Sequence, residues 1–354
     1  MNEVIVIGGG QSGLAAARAA RAHGLTPVIL EAGAQPAGSW PHYYDSLTLF
    51  SPAGYSGMPG APFPGDHEHY PTRDEVADYL RRYAAGLDVE IRTGTRVTAV
   101  TTDAGGSFLV RTEAGETLPA AAVVAASGSF GNPYLPPLPG QDNFTGQLLH
   151  VAGYRNPEPF AGRRVVVVGA GNSAVQVGHE LAGIAEVTLA TRHPVGFVPQ
   201  RHDGRDLHYW LRHTGFDDLP PEWLARLVTT TLVLDTGDYR DAVEAGRLDR
   251  RPMFTAFDGE GVVWPDGTRE PVDAVLFATG YRPHLDYLEP LGALTDGRPR
   301  HTGGLSTTHL GLVYVGLEFQ RSFASNTLRG VYRDAEYVMR PLTAHVREAG
   351  ALIA

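Results

Sequence analysis

The 354-residue chain contains neither cysteine nor lysine. Without cysteine there is no disulfide framework, no iron–sulfur ligation, no thiolate zinc site and no dithiol redox relay. Without lysine, all 29 basic residues are arginine, each a planar and permanently charged guanidinium. The net charge of −10 argues against nucleic acid or an anionic membrane surface as a partner. No apolar run approaches the roughly 20 residues that cross a bilayer. The opening MNEVIVIGGG has an early glutamate and no basic residue, so it reads as a first strand rather than a secretory signal, and a cytoplasmic protein is expected. The remaining balance, 43% apolar and 19% charged, is that of a globular protein long enough for two cores.

The run EVIVI at 3–7 is a short β-branched strand candidate, and GGGQSG, an alanine-rich helix and PVILE follow it. The loop spacing is Gly8-x-Gly10-x-x-Gly13, with Gln11 and Ser12 inside it, and an acid, Glu31, ends the second strand beside Ala32. RRVVVVGAGNSAVQVGHELAGIAEVTLATR repeats the pattern as Gly169-x-Gly171-x-x-Ala174, with Asn172 and Ser173 inside the loop and Arg192 at the strand end. The offset from first glycine to strand-end residue is 23 in both copies. Each unit is a strand–loop–helix–strand suited to hold a dinucleotide pyrophosphate on the helix N-terminus. Glu31 can accept hydrogen bonds from free ribose hydroxyls, as in FAD or NAD, whereas Arg192 can pair with a 2′-phosphate. FAD is therefore expected on the first unit and NADPH on the second.

The predicted fold class is α/β, with two Rossmann-like dinucleotide-binding domains. The NADPH domain, 159–278, is inserted into an FAD domain formed by 1–158 and 279–354. Short antiparallel strands precede the returns at VVAASG and VLFATG, and LVYVG and a helix from about Asn326 complete the first domain. Proline- and glycine-rich stretches mark the first crossing.

Between the two loops lies Phe144-x-Gly146-x-x-x-His150-x-x-x-Tyr154-Arg155. With the glycine loops, GSW at 38–40, YDSLTLFSP at 44–52, AASG at 125–128 and ATGY at 278–281, the chain resembles the flavin-containing monooxygenases, class B flavoprotein monooxygenases of glutathione-reductase-like fold. It is most similar to a compact bacterial branch whose members include ones associated with arsenic and metal resistance. The resemblance implies cofactor contacts from Gly38, Ser39, Trp40 and Leu47, and from Ala32 and Val97. It implies others from Ser127 and Gly128, from Tyr154 and Arg155, from Thr279, Gly280 and Tyr281, and from Gly316 and Gln320. Phe50 stands where larger members place an asparagine near the flavin, so that residue's role is not carried over.

The resemblance further implies that NADPH reduces FAD, and that the reduced flavin adds O2 as a C4a-hydroperoxide whose distal oxygen passes to a small N, S or As nucleophile. Positioning and water exclusion then fall to the protein, and no catalytic side chain is assigned. Three alternatives stay open: a Baeyer–Villiger or decarboxylating monooxygenase acting on a carbonyl, an NADPH oxidase or flavin reductase without oxygen transfer, and a non-enzymatic nucleotide sensor. O2 and a small molecule are the expected partners, with no nucleic acid and no membrane; a homodimer is an open option. No metal site is expected. His67 and His69 read as solvated loop residues, His208 and His213 as helix-face packing, and His150 as structural.

Overall fold

The computed structural model describes residues 2–228 and 232–353. Strand β1 (Asn2–Ile7), helix α1 (Gln11–Ala22) and strand β2 (Pro27–Leu30) form the first strand–helix–strand unit. Both strands are buried on two faces, which is why their sequences are continuous apolar runs rather than alternating ones. The chain continues through α2 (Arg73–Ala85), β3 (Glu90–Arg92), β4 (Val97–Thr102), β5 (Phe108–Thr112) and β6 (Thr117–Ala125). The strand Leu312–Tyr314, β6, β1, β2 and β3 lie side by side in parallel. The β4–β5 hairpin joins β6 antiparallel, as expected for the segment returning to VVAASG.

The alanines of α1 allow close helix approach. Ala15, Ala16, Ala19 and Ala20 share a buried cluster with Val331, Ala335, Val338, Met339 and Leu342 of the C-terminal helix Val331–Ile353. That helix starts five residues later than the sequence suggests. Turns at Thr327 and Gly330 close against Ala324, and a side chain on Gly330 would lie 2.2 Å from the Ala324 carbonyl oxygen.

The second sheet runs Asp249–Pro252, β9 (Glu186–Thr191), β8 (Arg164–Val168), Ala274–Phe277 and β7 (Gln147–His150), all parallel. Helix α3 (Asn172–Leu181) joins β8 to β9. β7 precedes the expected crossing at 158/159 yet hydrogen-bonds in this sheet, so by strand membership the chain crosses before Gln147. A three-stranded antiparallel sheet, Ala256–Phe257, Gly261–Val263 and Arg269–Pro271, precedes the return strand.

Candidate active site

Four segments converge on the N-terminus of α1. Gly8 has φ +108°, and a side chain there would lie 2.6 Å from the Ala126 carbonyl oxygen. At Gly13 the corresponding distance, to the Gly8 carbonyl oxygen, is 1.8 Å. Gly10 differs: its nearest neighbour would be the Gly38 Cα at 3.5 Å, ordinary contact distance. Its missing Cβ keeps space for something other than protein. No side chain caps α1, so its first N–H groups point toward that space. Gly38 (φ +57°) closes against Gly10, and Trp40 Nε1 donates to Gln11 Oε1 at 2.8 Å. Ser39 directly precedes the short helical turn Trp40–His42 without a side-chain capping bond. From the other side Gly316 (φ +89°) abuts Ser12, and Gln11 Nε2 donates to the Asn326 carbonyl at 3.3 Å.

Glu31 is buried at the end of β2. Its two oxygens accept from the Gly9 and Gly33 N–H groups, each at 2.6 Å. A carboxylate retains further lone pairs after two such bonds, so Glu31 can still accept from a sugar hydroxyl. The loop, the uncapped helix start and the acid together fit the pyrophosphate and ribose of a dinucleotide. Ala32 lies exposed beside Glu31; Val97, two residues after Thr95, whose N–H donates to the Glu31 carbonyl at 2.8 Å, is partly buried against the core.

The second loop repeats the geometry. Gly169 has φ +142°, and a side chain there would lie 2.5 Å from the Ala278 carbonyl oxygen. Gly171 precedes α3 as an uncapped N-terminus, with Ser173 in its first turn and Ala174 buried beneath. The amide of Asn172 is taken up by the parallel strand Leu232–Asp235, accepting from the Leu234 N–H at 3.0 Å. Arg192 is exposed just past β9 and has no partner among the described residues.

An aromatic wall joins the two loops. Ring centroids follow one another from Trp40 to Tyr43 (5.5 Å), Phe130 (5.1 Å), Tyr281 (4.8 Å) and His150 (4.9 Å). Burial pushes the Tyr43 phenol well above its usual range and that of Tyr281 up to about 12, so both stay neutral. Burial also lowers the His150 imidazole, which donates from Nε2 to the Gly280 carbonyl at 3.1 Å and accepts at Nδ1 from the Ala152 N–H. His150, at the end of β7, thus ties that strand to the ATGY return. Thr279 donates to the Tyr134 carbonyl at 2.5 Å in the same crossing. Ser127 donates to the His284 carbonyl at 2.5 Å, and Gly128 O accepts from His284 N–H.

Several residues of the expected contacts have side chains bonded within the framework. Tyr154 is fully buried and donates to Glu180 Oε2 at 2.8 Å. Arg155 donates to the Tyr43 carbonyl at 3.0 Å, clamping the segment that leads to Leu47, and Leu47 packs on the second domain's core. The buried Gln320 amide donates to the Tyr314 carbonyl at 2.9 Å and accepts from the Leu317 N–H. His69 pairs with Glu75 at 3.0 Å, and among the described residues no cluster could hold a metal.

Two domain-spanning contacts carry no motif. Buried Asp206 accepts from Tyr70 (2.5 Å), from Gln200 (2.8 Å), from the His208 backbone N–H (2.8 Å) and from His208 Nδ1 (2.8 Å). Gln200 also donates to the Phe50 carbonyl at 2.7 Å. Burial raises the Asp206 carboxyl, but those hydrogen bonds outweigh it and hold the group at about 2, against 3.8 ordinarily. Its stabilisation is therefore complete above about 3.8 and is lost as pH falls toward 2. In acid titrations the stability gap between the parent and Asp206→Asn should shrink across that window; a gap constant from pH 5 to 2 would contradict the assignment. Further along, Asp217 holds Arg329 through two bonds of 2.8 and 2.9 Å, and Asp218 pairs with Arg333.

Two glycine loops facing a shared aromatic wall define an oxidoreductase that brings a flavin to a pyridine nucleotide. Residues 5–218 match the pyridine nucleotide-disulphide oxidoreductase family. The chain is 30% identical to an uncharacterized CzcO-like oxidoreductase of Geobacillus kaustophilus, over 97% of this chain and 99% of the relative. It is 32% identical to indole-3-pyruvate monooxygenase YUCCA1 of Oryza sativa subsp. japonica, over 82% and 79%. A flavin-containing monooxygenase from Stenotrophomonas maltophilia superposes with a TM-score of 0.84 at 35% identity, covering 98% of this chain and 99% of that one. The chain belongs to the pyridine nucleotide-disulphide oxidoreductase family and, within it, to the flavin-containing monooxygenases: it is a flavoprotein monooxygenase. No helix among the described residues is long and apolar enough to cross a membrane.

Proposed function

We propose that the chain is an FAD- and NADPH-dependent monooxygenase that transfers one oxygen atom of O2 to a small nucleophilic N, S or As substrate. The observation that carries the cofactor pair is the contrast between its two strand ends. Glu31, a hydrogen-bond acceptor, closes the first loop, and Arg192, a cation with no partner among the described residues, closes the second. When bound, the flavin supplies the redox and oxygen chemistry. The uncapped starts of α1 and α3 hold the two pyrophosphates, Glu31 the flavin-side ribose and Arg192 the 2′-phosphate. The neutral aromatic wall keeps water from the space between them. With no cysteine in the chain, no dithiol can take the electrons onward.

A second reading has one observation in its favour. The rice relative is named for indole-3-pyruvate, a 2-oxo acid, so oxygen transfer to a carbonyl competes with transfer to a soft nucleophile. NADPH consumption and hydrogen peroxide release, followed with thioethers, amines, arsenite, ketones and 2-oxo acids, separate the two. Peroxide release should fall only with the true substrate class, with one O2-derived oxygen atom in the product, which for a 2-oxo acid is the acid left after loss of CO2. Peroxide unchanged by every compound would point to an oxidase. Arg192→Ala should raise the KM for NADPH at least about tenfold and leave that for NADH unchanged. Equal use of NADH and NADPH by the parent would overturn the NADPH assignment.

A further inference from the structure

Arg192 is not the only cation at the end of β9. The neighbouring parallel strand Asp249–Pro252 aligns Arg250 with Leu189 and Pro252 with Thr191. From there Arg250 Nε donates to the buried Thr191 Oγ1 at 2.8 Å. Thr191 is the residue immediately before Arg192, so one position both steadies the first guanidinium and precedes the second. Arg250 is half-buried and, among the described residues, pairs with no carboxylate, its one side-chain hydrogen bond being that from Nε. The next residue shows that this is a property of the site. Arg251 is neutralised twice, by Asp249 at 2.7 Å and by Glu270 at 2.8 Å. A half-buried guanidinium without an anion is costly unless an anion arrives. The parallel sheet puts the C-terminal strand ends, and so Arg192 and the Gly169 loop, on one side of the domain, and Arg250, the second residue of its strand, reaches toward that side to bond Thr191, the last residue of β9.

We propose that Arg250, oriented by Thr191, is a second cation for the 2′-phosphate of the pyridine nucleotide and sets the preference for it jointly with Arg192. The inference rests on the reading of Arg192 as the 2′-phosphate site. One Arg250 N–H is fixed by Thr191, and the terminal nitrogens remain to donate to phosphate oxygens. A guanidinium already held by one bond loses less freedom on binding.

The test is calorimetric titration of the flavin-loaded protein with NADP+ and with NAD+, which measures binding without turnover. Arg250→Gln, which keeps the aliphatic stem, should weaken NADP+ binding about tenfold and leave NAD+ binding unchanged. Thr191→Val, which keeps the strand and frees the guanidinium, should weaken NADP+ binding by a smaller factor, again with NAD+ unchanged. Arg192→Ala is the reference. If it erases the preference for NADP+ while Arg250→Gln weakens both nucleotides equally or neither, this inference is overturned and the NADPH reading stands. If the parent binds both nucleotides equally, the NADPH reading itself fails, and the inference with it.

Discussion

Gly13→Ala should destabilise the protein even without its cofactor, whereas Gly10→Ala should spare the fold and lose the flavin. At Gly13 the added carbon lies 1.8 Å from the Gly8 carbonyl oxygen, a backbone atom held by the turn that joins β1 to α1. Relief requires α1 to move away from the sheet. Eight buried residues of that helix, with the C-terminal helix packed on it, resist the movement. The expected loss is about 3 kcal/mol or more, at the upper end of overpacking costs. At Gly10 the nearest atom is 3.5 Å away and φ is −78°, so alanine fits both the space and the backbone. Its methyl group occupies only the room left for a pyrophosphate. Denaturation midpoints of the flavin-free proteins should thus fall for Gly13→Ala and stay near the parent for Gly10→Ala. Retained flavin absorbance after gel filtration should be lost in both. A normal midpoint for flavin-free Gly13→Ala would show that helix packing does not need this glycine.

The contrast also explains which parts of the site were legible in the sequence. The two loops announce themselves because their constraints are local: a glycine, a helix start and a strand end lie within 23 residues, and spacing alone registers them. In the sheets the two copies differ by one residue: the pairing Ile7↔Leu30 puts Glu31 opposite Gly8, whereas Val168↔Ala190 puts Thr191 opposite Gly169 and Arg192 one residue beyond. Side-chain direction is another matter. Tyr154 and Gln320 belong to recognisable stretches, but whether a tyrosine or an amide faces a cofactor or its own framework depends on Glu180, Tyr314 and Gly303, which no local spacing encodes. The crossing point shifted for a similar reason. QLLH is a weak strand by itself and becomes one because Ala274–Phe277 offers it an edge. Asp206 carried one local signal, since it directly precedes a helix and caps it. Its bond to Tyr70 spans 136 residues and could not be foreseen.

The Asp217–Arg329 pair joins positions 112 residues apart with no motif at either end. Asp217 lies in the helical turn Phe216–Asp218 of the inserted segment, and Arg329 lies just before the C-terminal helix of the first domain. Their side chains are 6% and 12% exposed, so water contributes little to either charge. Removing one member of such a pair strands the other in a poorly solvated place, which typically costs 3–5 kcal/mol. Arg329→Ala and Asp217→Ala should each lower stability by about that amount. The double substitution should cost clearly less than the sum, because no lone charge remains. Phe216 packs on Phe323 at 5.2 Å beside the pair, so some docking should survive in the double variant. Hydrogen exchange would locate the effect: the helix Leu207–His213 and the turn after it should lose protection in the single variants, while β1 and α1 keep theirs. Additive losses, or unchanged protection over 207–218, would mean that the pair does not hold the two domains together.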